Sequence, residues 1–225
     1  MQFCEPMPNK DKQKETTKSW LREYAEAIAV ALVLALFIRT FIVQAFKIPS
    51  GSMENTLLVG DHILVNKFSY GIHIPNEVLF TGIKLFADHR LFPKNPERGD
   101  IIVFKYPKDE QRDFIKRVIG LPGDKLEIRR QRVFINGEPL HDAAYAIHHD
   151  PATGESLYPR DDFGPIHIPE GHLFVMGDNR ENSQDSRYWG FLNINSIRGK
   201  ALLIYWSWNG ENNWVRFNRV GKILH

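Results

Sequence analysis

Three short stretches of this chain gather residue types that can do chemistry. The first is Ile48-Pro49-Ser50-Gly51-Ser52-Met53. Proline fixes its own φ and glycine enters conformations closed to other residues, so this backbone is tightly shaped. Such a shape can present a hydroxyl outward and aim backbone N–H groups inward. An ordinary turn has the same composition, and both glycines of a Gly-x-Ser-x-Gly elbow are missing. The second stretch is Arg98-Gly99-Asp100 with IIVFKYP behind it, then Phe114-Ile115-Lys116-Arg117-Val118-Ile119-Gly120-Leu121-Pro122-Gly123-Asp124. On a strand, Phe114, Lys116 and Val118 share a face, which sets an ammonium between two apolar side chains. Desolvation lowers a lysine pKa, and a fall of about three units would make the amine a base near neutral pH. A lysine snorkelling from a half-buried strand is the plainer alternative. The third stretch runs from Gly177 to Gly190, GDNRENSQDSRYWG. Its acids invite a calcium-loop reading, but no register from Asp178 or Asn179 supplies the loop glycine and the closing glutamate together. A polar loop whose Asp and Arg groups pair with each other is the other reading.

These stretches need a scaffold, and beyond Lys47 the sequence offers strands. HILVNKF (62–68), DIIVFKY (100–106), FIKRVIG (114–120), KLEIRRQRVFING (125–137), HLFVMGD (172–178) and ALLIYWSW (201–208) are rich in β-formers and bounded by turn residues. No amphipathic helical pattern of comparable length lies among them, so the fold is predicted to be mainly β. Residues 131–170 are more polar and contain Pro139, Pro151, Pro159, Pro165 and Pro169. They read as an inserted β-ribbon cap between two halves of one core, 47–130 and 171–225. Within the cap, His148-His149 with His141 and Asp150 lacks a recognised ligand spacing and reads as solvated loop residues.

Composition narrows the partners. Among 225 residues, 29 Lys and Arg against 27 Asp and Glu leave a formal charge of +2, without the basic excess of a nucleic-acid binder. A single cysteine, Cys4, excludes an intramolecular disulfide and any cysteine-based zinc or iron–sulfur site. A mean hydropathy of −0.34 leaves room for one membrane span at most. Ala27 to Ile38, AIAVALVLALFI, carries no polar side chain, and Tyr24 to Val43 gives a length of ~30 Å interrupted by Glu26, Arg39 and Thr40. Trp20 and Tyr24 stand at its entrance, as interfacial aromatics do. An anchor over 24–46 is therefore predicted, behind a tail over 1–23. Lys10, Lys12, Lys14, Lys18 and Arg22 precede it while Lys47 alone follows closely, which leaves the N-terminus cytoplasmic. A buried helix and a cleavable signal peptide, cut after Val43-Gln44-Ala45, are the competing readings.

Taken together and in this order, the motifs resemble those of the bacterial type I signal peptidases, membrane-bound Ser–Lys endopeptidases. The carrying residues are 48–53, 98–107, 116–124 and 177–190. The resemblance implies Ser52 as nucleophile and Lys116 as general base. It implies an oxyanion hole from the Ser50 hydroxyl and the Ser52 backbone N–H. Ser183 would orient the Lys116 amine, with Asp178, Asp185 and Arg187 bracing the loop. It further implies an antiparallel β catalytic core with a small inserted β domain, no metal or other cofactor, and signal-peptide-bearing preproteins as substrates. Membrane lipid and a functional relation to the secretion machinery follow, with the catalytic domain on the extracytoplasmic side of the plasma membrane. One span instead of two and a short insertion depart from larger members. The chemistry agrees with the residues: a serine hydroxyl attacks once a base takes its proton, and a neutral amine can be that base. Two rival classes stay open at this stage. An anchored β domain that only binds partners needs neither Ser52 nor Lys116, and another Ser–Lys peptidase shares the dyad.

Overall fold

The computed structural model describes residues 11–38, 42–73, 90–91, 94–147 and 162–224. The chain divides into a unit ending at Ile42 and a second beginning at Val43. In the first, α1 (Asp11–Phe37) has Trp20 edge-on to Tyr24 at 4.8 Å and an ion pair from Arg22 to Glu26 at 2.9 Å. The run without a polar side chain within α1, Ala27–Phe37, spans ~16 Å at ~1.5 Å per residue, about half a hydrocarbon core. Among the described residues no helix is long and apolar enough to cross a membrane. The sequence-based anchor over 24–46 is thus too long at its far end. Val43 opens a strand, so residues 43–46 belong to a sheet.

The second unit holds fourteen strands among the described residues. They are β1 (Val43–Lys47), β2 (Asp61–Asn66), β3 (Ile72–His73), β4 (Arg90–Leu91), β5 (Ile101–Tyr106), β6 (Asp109–Gly120) and β7 (Lys125–Arg129). After these come β8 (Arg132–Ile135), β9 (Glu138–Pro139), β10 (Phe163–His167), β11 (His172–Met176), β12 (Leu192–Asn193), β13 (Ile197–Asn209) and β14 (Trp214–Val215). The main sheet has the order β1-β2-β13-β5-β6-β11-β12, with β14 also on β13. A second sheet has the order β10-β7-β8-β9, and β3 pairs with β4. Every strand pair is antiparallel.

Strand β5 shows why its sequence is continuously apolar. Ile101 and Val103 enter one cluster with Ile63, Val65 and Ile204, whereas Ile102 and Phe104 enter another with Val118, Leu173 and Val175. Successive side chains leave opposite faces, so a strand covered on both sides has no polar position to offer. Strand β6 changes character along its length, from an exposed first half to a buried end. Lys116 lies where water gives way to core.

The predicted cap is a small sheet, and its boundary moves. KLEIRRQRVFING is not one strand but the hairpin β7–β8, turning at Arg130 and Gln131 with φ of 48° and 67°. Both residues are left-handed, as a two-residue hairpin turn of this hand requires, yet neither is Gly, Asn or Asp. The residues carried no turn signal. β7 therefore leaves the predicted core segment and joins β8 and β10. A third cluster, including Ile119, Leu126, Val133, Phe174 and Met176, packs the small sheet against β6 and β11.

Candidate active site

Ser52 sits in a one-turn 3-10 helix, Gly51–Met53, which Ser50 enters in an extended conformation. Met53 and Leu57 anchor the turn in the core between β2 and β5. Behind it, Asp61 is fully buried and takes Arg219 at 2.6 Å and Ser207 Oγ at 2.6 Å, while Arg219 Nη2 also donates to the Thr56 carbonyl at 2.9 Å. Burial raises the Asp61 carboxyl pKa, but these donors outweigh it and hold it below the ordinary value. The turn is thereby fixed from the side away from the cleft.

Lys116 enters from β6, opposite Ile102 on β5. Its side chain is 3% exposed, and Nζ lies 5.4 Å from the Phe114 ring centroid. Nζ donates to Ser52 Oγ at 2.7 Å and to the Ile115 carbonyl at 2.9 Å. Burial pushes the amine down to about 8, while the more distant charges of Asp185 and Asp178 pull the other way. The result is an amine that gives up its proton near neutral pH beside a hydroxyl.

The loop over 177–187 closes the site. Asp178 is fully buried and accepts Nε and Nη2 of Arg117, each at 2.8 Å. The Asn179 N–H donates to the Ser52 carbonyl at 3.2 Å. Gly177 has no alternative: a Cβ there would collide with the Ser52 carbonyl oxygen and the Ser183 hydroxyl. Asp185 accepts from the Gly177 N–H at 3.1 Å and from Arg187 Nε and Nη2, each at 2.9 Å, and it caps the short helix α2 (Ser186–Trp189). Asp178, Asp185 and Arg187, expected to brace this loop, are all bonded within it or to the strand behind it. Ser183 is buried beside the dyad, but its Oγ has no hydrogen-bond partner, so the contact to Lys116 is not formed. The amine's donors instead meet Ser52 and the Ile115 carbonyl. Ser50 is exposed, and its hydroxyl makes no capping bond.

Ser50, Ser52, Lys116 and Ser183 face one cleft of about 850 Å³. Pro49, Ser50 and Ser52 form one wall, residues 114–116 another, and residues 181–184 with Tyr188 a third. Sequence reasoning overlooked the partners that hold this arrangement. Arg117 stacks over Tyr145 at 4.1 Å, Arg180 pairs with Asp142 at 2.6 Å, and Ile147 bridges to Asn179. The adjacency of Arg117 to Lys116 was a signal, but Asp142 and Tyr145 lie in a segment with none. His148, His149 and Asp150 fall outside the described residues. Among the described residues no cluster of His, Cys, Asp or Glu could hold a metal ion.

A serine paired with a buried amine in an open cleft is the equipment of a serine hydrolase with an amine base. Residues 21–206 match the family described as signal peptidase, peptidase S26, and the chain belongs to that family. Signal peptidase I of Pseudomonas fluorescens is 38% identical over 94% of this chain and 82% of its own length. Signal peptidase I of Pseudomonas aeruginosa is 37% identical over the same shares. That of Aquifex aeolicus is 35% identical over 83% of this chain and 85% of its own.

Proposed function

We propose that this peptidase removes N-terminal signal peptides from exported preproteins, with Ser52 as nucleophile and Lys116 as general base. The observation that carries the reading is the 2.7 Å contact between Lys116 Nζ and Ser52 Oγ around an amine of pKa about 8. The neutral amine takes the Ser52 proton as Oγ attacks the scissile carbonyl. The ammonium then protonates the departing amine, leaving an acyl-enzyme. A water deprotonated by the same amine attacks the ester, and the proton returns to Ser52 Oγ. When Lys116 is neutral its lone pair faces the serine, leaving two N–H donors, one for the Ile115 carbonyl and one for Ser183 Oγ. In this reading Ser183 Oγ, buried without a partner, would turn to accept that second donor and orient the amine.

The membrane anchor belongs to the same proposal. Ile28, Val30, Leu32, Val33, Leu34 and Leu36 are each more than half exposed on α1, a surface that water disfavours and lipid does not. The span proposed lies within the expected 24–46 segment, ahead of the strand that opens at Val43, with its N-terminus cytoplasmic and the peptidase unit outside. Trp206, Trp208 and Trp214 are 40%, 39% and 69% exposed, which favours an interfacial role over core packing.

Detergent-solubilised protein incubated with a preprotein should release the mature chain, and Ser52→Ala should abolish this while the variant stays folded. Substantial turnover by folded Ser52→Ala overturns the reading. Ser50 is tested separately. Charge developing on the carbonyl oxygen needs donors at about 2.7–3.1 Å, and losing one typically lowers kcat by ~10²–10³. Ser50→Ala is expected to show that loss with KM little changed, and Ser50→Thr to regain much of it. Wild-type kcat in Ser50→Ala would leave Ser50 as a turn residue.

A further inference from the structure

Thr56 lies four residues beyond Ser52, and its N–H donates to the Met53 carbonyl at 3.1 Å, closing the turn that carries the serine. Its hydroxyl donates to Asp178 Oδ2 at 2.5 Å and accepts from Arg117 Nη2 at 3.2 Å. A threonine hydroxyl has one donor and two acceptor sites, so a single atom here joins two charged partners that also bind each other. Each partner leads to a different part of the site. Arg117 is bonded to Lys116. Asp178 is bonded to Gly177, which packs on the Ser52 carbonyl and the Ser183 side chain.

We infer that Thr56 is a positioning residue for peptide hydrolysis, its hydroxyl joining the Ser52 turn to the Lys116 strand and the Ser183 loop. The inference rests on the Ser52–Lys116 reading. The physical argument is one of distance. Ser52 and Lys116 are 64 positions apart and come from separate elements, so their 2.7 Å approach depends on what joins those elements. The Thr56 hydroxyl is a direct side-chain link between them, lying behind the dyad. Proton transfer and attack demand near-contact geometry, and a displacement of ~1 Å can cost ~10²-fold in rate.

The test compares purified full-length variants on a preprotein substrate, with thermal melting as a control. Thr56→Val keeps the shape and removes the hydroxyl. It is expected to lose about 10²-fold in kcat with KM within about twofold, at temperatures where the variant is folded. Thr56→Ser should recover to within a few-fold of wild type. A role in stability alone would lower the melting temperature and leave kcat untouched, and that result overturns the inference. So does a Thr56→Ser variant no better than Thr56→Val. If Thr56→Val does not fold, Thr56→Cys, similar in size with a weak donor, should fall between the two. Wild-type kcat in Thr56→Cys is again fatal to the idea. Ser52→Ala, run alongside, separates the two failures: activity without Ser52 removes the dyad, whereas activity without the Thr56 hydroxyl removes only this role.

Discussion

Lys116 and Arg117 are neighbours on one strand, 3% and 2% exposed, and the protein treats their charges in opposite ways. Arg117 receives two carboxylate oxygens of Asp178 at 2.8 Å, the Gly99 carbonyl at 2.7 Å and the Tyr145 ring. Lys116 receives a hydroxyl, a backbone carbonyl and the edge of an apolar core. Asp178 and Asp185 reach it only as more distant charges, and each is already held by an arginine. Burial therefore weighs most on the cation that has no carboxylate in contact. Arg117 is a cation that keeps its proton by its own chemistry and is met with counter-charge, whereas Lys116, with no carboxylate in contact, is the cation whose proton burial loosens.

The comparison breaks most sharply if Lys116 is made unable to lose its proton. Lys116→Arg retains a cation that does not deprotonate in proteins, so preprotein turnover should fall by about 10⁶-fold, the scale seen when a catalytic nucleophile or base is removed. Residual activity near wild type would show that some other group is the base. Next in size is Arg117→Met, which strands the buried Asp178 carboxylate. Breaking one side of a buried pair costs roughly 3–5 kcal/mol, readable as a lower urea midpoint. The uncompensated charge should also move the acid limb of activity above pH 8. An unmoved limb would mean that Arg117 does not shield the amine.

Two gentler measurements sharpen the contrast. The Lys116 pKa falls from 10.5 unfolded to about 8 folded, so between those values the unfolded chain holds a proton that the folded chain lacks. Stability thus rises with pH across that window, and below about pH 8 the full cost of a buried ammonium is present. At ~1.4 kcal/mol per unit this is about 3 kcal/mol. Lys116→Met should be more stable than wild type by up to that amount at pH 7, and the gain should vanish by about pH 10.5. A gain independent of pH would point to packing instead. Lastly, kcat/KM in the wild type should fall about tenfold per unit below pH 8, to roughly a hundredth at pH 6. A flat profile to pH 6 contradicts the assigned base.

Much of this was legible because it is local or patterned. Ser52 stands in a Pro-Ser-Gly-Ser run, and Lys116 interrupts an apolar strand. Strands β5, β11 and the second half of β6 announce themselves by composition, whereas the polar start of β6, DEQRD, does not. What was hidden falls into two kinds. Residues 43–46, Val-Gln-Ala-Phe, follow the apolar segment with only scattered polar residues between, and nothing there marks where helix yields to strand. The hairpin at Arg130-Gln131 uses residues that rarely turn chains this way. The other kind is pairing at long range: Thr56 meets Asp178 across 122 positions and Arg219 meets Asp61 across 158. No spacing rule reaches that far.

The Asp61–Arg219 contact has a consequence in time. Ribosomes add about 5–20 residues per second, so Asp61 is made on the order of 10–30 s before the arginine that neutralises it. Until then, seating the segment behind Ser52 would bury a carboxylate without its counter-ion, which is costly. A nascent chain thus carries its serine early but gains the support behind it late, after nearly the whole peptidase unit has been translated. Chains stalled before Arg216 and assayed on the ribosome should be inactive, whereas chains displaying all of 1–225 beyond the exit tunnel should cleave. Full activity in the shorter chains would show that the turn seats itself unaided.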